Sequence, residues 1–194
     1  MTLTVDTLTV WMDKFGNKIG ENKQYLSDLD TPIGDGDHGF NMDRGMTAVK
    51  EKLSSKPENV TDGLKNIAMA LISTVGGASG PLYGTAFLEM AKKSSSTTDL
   101  GELLDAALKG IEMRGGANPG DKTMVDVWDK LVPEVKDGTL TEDKITAAVE
   151  ATKDMVAKKG RASYLGERSK GHIDPGSQSS GYLFEAMLET EGLL

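Results

Sequence analysis

Eight stretches of this chain repeat apolar side chains at helical spacing, and none sustains the two-residue alternation of a strand. Leu8, Trp11, Phe15, Ile19 and Leu26 mark the first helix. Met42, Met46, Val49 and Leu53 mark the second, and Val60, Leu64, Ile67, Leu71 and Val75 the third. Leu82, Thr85, Phe87, Leu88 and Ala91 mark the fourth, with Pro81 in its first turn, where a missing N–H costs little. Leu100, Leu103, Leu104, Ala107 and Ile111 mark the fifth. Met124, Trp128, Leu131 and Val135 mark the sixth, which Pro133 kinks or ends. Ile145, Val149, Met155 and Val156 mark the seventh, and Leu183, Phe184, Met187 and Leu188 the eighth. The pattern predicts an all-α fold.

The connections come in two alternating kinds. Loops two (54–58), four (94–98) and six (137–140) are plain polar turns. Loops one (30–39), three (76–81), five (115–121) and seven (160–176) are glycine-rich and carry unusual chemistry. In an up-and-down bundle, alternate connections lie at the same end. The four odd loops are therefore expected to meet at one rim, together with the N-termini of helices two, four, six and eight. Helix N-termini carry free N–H groups and a positive dipole end, so that rim favours phosphate.

Loop one sets an acidic cluster into the rim. Asp30, Asp35 and Asp37 fall within eight residues, interleaved with Pro32, Gly34 and Gly36. At ~4 Å and an effective dielectric of ~20, each such pair repels by about 4 kcal/mol. The loop is therefore either left in water or filled by a cation, and hard oxygen ligands suit Mg²⁺ or Ca²⁺. A calcium EF-hand is excluded, because Gly39, Phe40 and Met46 stand where it needs a ligand, glycine and glutamate. Gly34, Gly36 and Gly39 also satisfy G-x-G-x-x-G, but no strand precedes them and two aspartates inside the motif repel a bare pyrophosphate. Metal ions between carboxylates and phosphates remove that repulsion. No Walker A run is present, so nucleotide binding here needs another scheme.

Composition narrows the field further. A chain of 194 residues suits one domain, residues 1–194, with a core that needs no staples. Cysteine is absent, which excludes disulfides, thiol catalysis and thiolate metal sites, and fits a cytoplasmic protein. Residues 1–10 lack a basic, apolar signal sequence, and the most apolar stretch, 67–75, is too short for a bilayer. The net charge of −8 argues against nucleic acid and anionic membrane as partners, although a local metal can reverse the sign at one site.

Single residues carry two readings each. His38 is a polar surface group or a phosphate donor, and Asn41 caps helix two or turns its amide to a phosphate. Ser79 and Gly80 end a tight helix–helix turn or cradle phosphate. Met124 is core or packs on an adenine ring. Arg161, in the longest loop, is a surface arginine or the group that neutralises a transferred phosphoryl. Loop seven is longer than a bare connector needs to be, as lids often are. No serine has an evident His and Asp in support, so no nucleophile stands out.

Four motifs in this order resemble one family. They are D-x₄-D-G-D-H-G-x-N (30–41), G-G-A-S-G-P-L-Y-G-T (76–85), G-x-A-x-P-G-D-K-T-M (115–124) and R-A-S-Y-L-G-E-R-S-x-G-H-x-D-P-G (161–176). Together they resemble the nucleotide-binding L subunits of dihydroxyacetone kinases. They are also similar to the C-terminal domain of the ATP-dependent dihydroxyacetone kinases and the N-terminal domain of bacterial fatty acid kinases. The resemblance implies an eight-helix antiparallel barrel with the nucleotide at one end. It implies two Mg²⁺ ions on Asp30, Asp35 and Asp37. It places His38, Gly39, Phe40, Asn41, Ser79, Gly80, Gly115, Met124, Arg161, Asp174, Pro175 and Gly176 at the nucleotide, with Arg161 in the catalytic role. In the phosphotransferase-system version it implies a resident ADP, phosphorylated to ATP by a phosphohistidine of an M subunit. The γ-phosphoryl then passes to dihydroxyacetone held on a K subunit. The resemblance also leaves open an ATP-exchanging kinase domain, and a coactivator that reports its ADP state to a transcription regulator.

Overall fold

The computed structural model describes residues 1–194. Its eight α-helices are α1 (Val5–Asp30), α2 (His38–Leu53), α3 (Val60–Thr74), α4 (Ser79–Lys93), α5 (Leu100–Gly115), α6 (Val125–Lys136), α7 (Glu142–Glu150) and α8 (Pro175–Leu188). Extended pairing is confined to one isolated bridge between Thr2 and Asp99. Each helix packs on the next in sequence, and α8 returns to pack on α1, which closes the ring. No helix is long and apolar enough to cross a membrane.

The apolar stripes read from the sequence turn inward and merge into one core cluster of 45 residues. Trp11 lies against Phe87, Phe15 against Tyr83, and Trp128 edge-on to Phe184, with ring centroids 6.1, 6.2 and 5.3 Å apart. Full burial of a large apolar side chain contributes about 1.5–3 kcal/mol, so these rings are a main source of closure. Their polar edges are met inside the barrel. The Trp11 indole N–H donates to the Leu183 carbonyl (2.9 Å), and that of Trp128 to Ser180 Oγ (3.0 Å).

The two ends of the barrel are finished differently. At one end, α1, α3, α5 and α7 begin with Thr4, Asn59, Asp99 and Thr141, and each side chain accepts an N–H of its own first turn. At the other end, α2, α4 and α6 begin without a side-chain cap, and α8 alone is capped, by Asp174. The odd-numbered loops all lie at this second end.

Two sequence expectations need correction. The seventh helix stops at Glu150, so Met155 and Val156 lie beyond it. The chain there tightens into a 3₁₀ turn, Ala151–Asp154, as the buried Thr152 hydroxyl donates to the Val149 carbonyl and receives the Asp174 N–H. Loop seven, longer than a bare connector needs to be, contains a 3₁₀ helix, Arg161–Ser169, broken at Gly166. Pro133 does not end α6, which runs on to Lys136.

Candidate functional site

The four odd loops enclose a cleft of about 500 Å³ at the sparsely capped end of the barrel. Its acidic wall is built by α1 and the turn that follows it. Asp30 is the last residue of α1, and one of its carboxylate oxygens receives the N–H groups of Asp37 (3.1 Å) and His38 (3.3 Å). That draws the loop back over the helix end. Gly34 is required for the turn, since a Cβ there would stand 1.9 Å from the Asp30 carboxylate. Gly36 takes φ +76°, which side chains resist. The result brings one oxygen from each of Asp30, Asp35 and Asp37 within 4.8 Å of the others. Three carboxylates this close form a donor set fitted to a hard divalent cation.

Facing them is the start of α4. None of the five backbone N–H groups from residue 76 to residue 80 has an acceptor within the chain. At α2 the N–H groups of His38 and Gly39 are taken by Asp30 and Ser27. At α6 the N–H groups of Val125 and Asp126 meet Thr123, and at α8 those of Ser177 and Gln178 meet Asp174. Of the four helix ends expected to be open, only that of α4 keeps every N–H group before Pro81 without an acceptor. An open N-terminus with a glycine-rich approach is suited to phosphate.

His38 joins the two walls. It is the first residue of α2, buried, and its ring bridges Ser79 Oγ (3.1 Å, from Nδ1) and Ser179 Oγ (3.0 Å, from Nε2). Ser179 and Ser180 in turn meet the Tyr83 hydroxyl at 2.8 and 3.0 Å. Burial pushes the imidazole down to about 4 and the Tyr83 phenol well above its ordinary range. The ring is thus neutral near pH 7, and it orients the Ser79 hydroxyl from below. This buried role differs from both sequence readings of His38.

Loop seven supplies the third wall. Arg161 Nη1 reaches Asp35 Oδ2 at 2.7 Å, so the guanidinium lies directly over the acidic loop. Asp174 caps α8 by accepting the Ser177 N–H (2.7 Å), and burial pushes its carboxyl up to about 6. The fourth wall is loop five. Asp126 accepts the N–H groups of Gly120 (2.6 Å) and Thr123 (2.8 Å) and holds that loop in a tight turn.

Most of the residues named from the sequence meet in this cleft. Asp30, Asp35, Asp37, His38, Asn41, Ser79, Gly115, Met124, Arg161, Asp174, Pro175 and Gly176 all line it. Gly39, Phe40 and Gly80 do not. Gly39 is pressed against α1, where a Cβ would meet the Lys23 carbonyl at 1.8 Å. Gly80 is pressed against the Val75 carbonyl in the same way, at 2.3 Å. The Phe40 side chain is exposed to solvent instead. Asn41 accepts from Arg44 Nη2 (2.6 Å). Met124 is both core and cleft, buried to 3% exposure with one edge on the cavity.

Three cations were not singled out from the sequence: Arg114, Lys122 and Lys159 also line the cleft. With Arg161 they make four cations in a cleft that also holds the carboxylates of Asp30, Asp35, Asp37 and Asp174, in a chain whose net charge is −8. Their helix-end and loop positions resemble ordinary solvated charge, and only the fold shows that they converge.

Comparison with known proteins fits this geometry. Residues 32–189 match the model of the DAK2 domain. The chain is 54% identical, over 96% of its length and 98% of the relative's, to a protein of Lactococcus lactis. That relative is named PTS-dependent dihydroxyacetone kinase, ADP-binding subunit DhaL. It is 52% identical, over 98% of its length and 99% of the relative's, to the ADP-binding subunit of PEP-dependent dihydroxyacetone kinase 1 of Listeria innocua. Among solved structures, it superimposes with a TM-score of 0.79 on the dihydroxyacetone kinase of C. freundii, crystallised with AMP-PNP and Mg²⁺. That match, at 22% identity, covers 98% of this chain and 35% of the longer one.

Proposed function

Because the chain belongs to the DAK2-domain family, we propose that it is the ADP-binding subunit of a phosphotransferase-system-dependent dihydroxyacetone kinase. The single observation that carries this reading is the pairing of walls. A cation-binding carboxylate cluster faces an unpartnered helix N-terminus across one cleft. Such a cleft suits a metal-bound diphosphate.

In this reading residues 1–194 act as one nucleotide-binding domain. Asp30, Asp35 and Asp37 hold two Mg²⁺ ions, which supply charge neutralisation to the phosphates. Asp30 has a second task, since its carboxylate also shapes the loop. The N–H groups of residues 76–80 and the Ser79 hydroxyl, aimed by His38, donate to phosphate oxygens. Met124, with Gly115 and residues 174–176, lines the side where an adenosine fits. Arg161 spreads the charge of the phosphoryl group in transfer.

The acceptor and donor arrive on partners. A phosphohistidine of an M subunit recharges the ADP in place, and a K subunit presents dihydroxyacetone, giving dihydroxyacetone phosphate in the cytoplasm. Relatives named as ADP-binding subunits of PTS- and PEP-dependent dihydroxyacetone kinases support this. An ATP-exchanging domain is the competing reading. The full-length match to stand-alone ADP-binding subunits favours the first.

The test uses Asp35→Ala and Asp37→Ala, which spare the loop-shaping Asp30. Each should release ADP on desalting and lose at least about 100-fold in phosphoryl transfer to dihydroxyacetone with both partners present. Near-normal transfer in either variant contradicts the metal assignment.

A further inference from the structure

The wall that carries Arg161 is anchored by one buried cation. Lys122 is 1% exposed, and its Nζ donates to the carbonyls of His172 (2.6 Å), Ser169 (2.7 Å), Met155 (3.2 Å) and Lys153 (3.4 Å). Two of these carbonyls lie on the strand of chain entering the lid, and two on the strand leaving it. The ammonium makes no ion pair with any carboxylate, so its protons are committed to the backbone.

Around it the neck is otherwise thin. Gly171 N–H donates to the Lys153 carbonyl (2.8 Å) and Ala157 N–H to Ser169 Oγ (2.8 Å). Lys158 N–H donates to the carbonyl of Asp121, the neighbour of Lys122 (3.0 Å). Loop five thus grips the lid just before Arg161.

The backbone also argues for the side chain. Lys122 sits at φ +61°, a conformation that costs a non-glycine residue of order 1–3 kcal/mol. Gly120 in the same loop already supplies one left-handed turn, at φ +91°. A loop that needed only to turn would favour glycine at 122 as well.

We propose that Lys122 is a positioning residue: its ammonium clasps the neck of the lid and thereby sets Arg161 over the acidic loop. The proposal rests on the reading of Arg161 given above. Lys122 touches no reacting atom in this account. Its loss frees the lid and acts only through Arg161.

The test combines Lys122→Met, which keeps the stem and deletes the charge, with Arg161→Ala. Turnover with both partners should fall at least tenfold in Lys122→Met. It should fall no further in the double variant than in Arg161→Ala alone. Amide exchange across 157–171 should accelerate at least tenfold, with α1 to α5 unchanged. An equal loss in both backgrounds, or unchanged neck exchange, overturns the proposal.

Because the chain has no cysteine, Lys122→Cys can be alkylated at that one site, unfolded, with 2-bromoethylamine. This restores an ammonium at nearly the same reach, and refolded protein should regain turnover to within about threefold. Failure to regain it overturns the proposal. Should Lys122→Met not fold, the wild type still decides. Its Ala157 and Gly171 amides should exchange as slowly as those buried in α8, and exchange at loop rates refutes the clasp. Wild-type turnover in Arg161→Ala instead refutes the reading of Arg161 and leaves the exchange result standing.

Discussion

Charge at single residues decides what this cleft can hold. Arg161 stands 2.7 Å from Asp35 and acts there as a cation for the acidic loop. Removing it leaves three carboxylates with less compensation. We therefore expect Arg161→Ala to bind Mg²⁺ somewhat more tightly while losing at least about 100-fold in turnover. Calorimetric titration and a coupled assay check the two halves, and parallel losses in both would contradict the role. Asp174 gives a pH signature. Its folded carboxyl lies at about 6, against 3.8 in the unfolded chain, because it is buried. Between those values the folded protein holds a proton that the unfolded chain has lost. Its contribution therefore favours folding on the acid side and is lost as pH rises through about 6. Asp174→Asn keeps a capping side chain and removes this titration. The variant should gain on the wild type by up to about 3 kcal/mol between pH 4 and 6.5, read from denaturant midpoints. A gap independent of pH would contradict the assignment. The comparison has to be a difference, because His38, held at about 4 by burial, contributes stability that is lost on the acid side of the same window.

Elements decide where these residues meet. The start of α4 is the open donor site, and it depends on Gly80 lying flat against the Val75 carbonyl. Gly80→Ala would force that turn apart. We expect a stability loss of about 1–3 kcal/mol and ADP release, measured by thermal melting and by nucleotide content. Lid closure is testable as well. Arg161, Arg168 and Lys170 offer trypsin sites in the segment over the cleft, and Tyr164 between them is 87% exposed. Bound Mg-ADP should slow cleavage there, and an unchanged rate would separate the lid from the nucleotide. The helices themselves were legible in the sequence because apolar spacing is a local signal. The end of the seventh was not. Met155 and Val156 continue the apolar pattern, but Thr152 is drawn inward by its bond to Asp174, 22 residues away. Loop seven hid its 3₁₀ helix for a similar reason, since its neck is shaped by Lys122 from another loop.

At the scale of the whole molecule, alternation explains the site. Eight antiparallel helices in a closed ring put every second loop at one end. The chain caps every N-terminus at the other end with a side chain of the cap residue itself, and at this end leaves the start of α4 open. The acidic motif, the glycine loops and Arg161 could be read ahead of the fold because each has a distinctive local composition. The burial of His38 and the convergence of Arg114, Lys122 and Lys159 could not, because they depend on helices far apart in sequence. The central claim is that the cleft carries Mg-bound ADP as a resident cofactor. The direct measurement is the nucleotide content of purified protein, desalted thoroughly and then denatured. The account predicts close to one ADP per chain. Protein that is empty after desalting, yet binds Mg-ATP reversibly, would contradict it and establish an exchanging kinase domain instead.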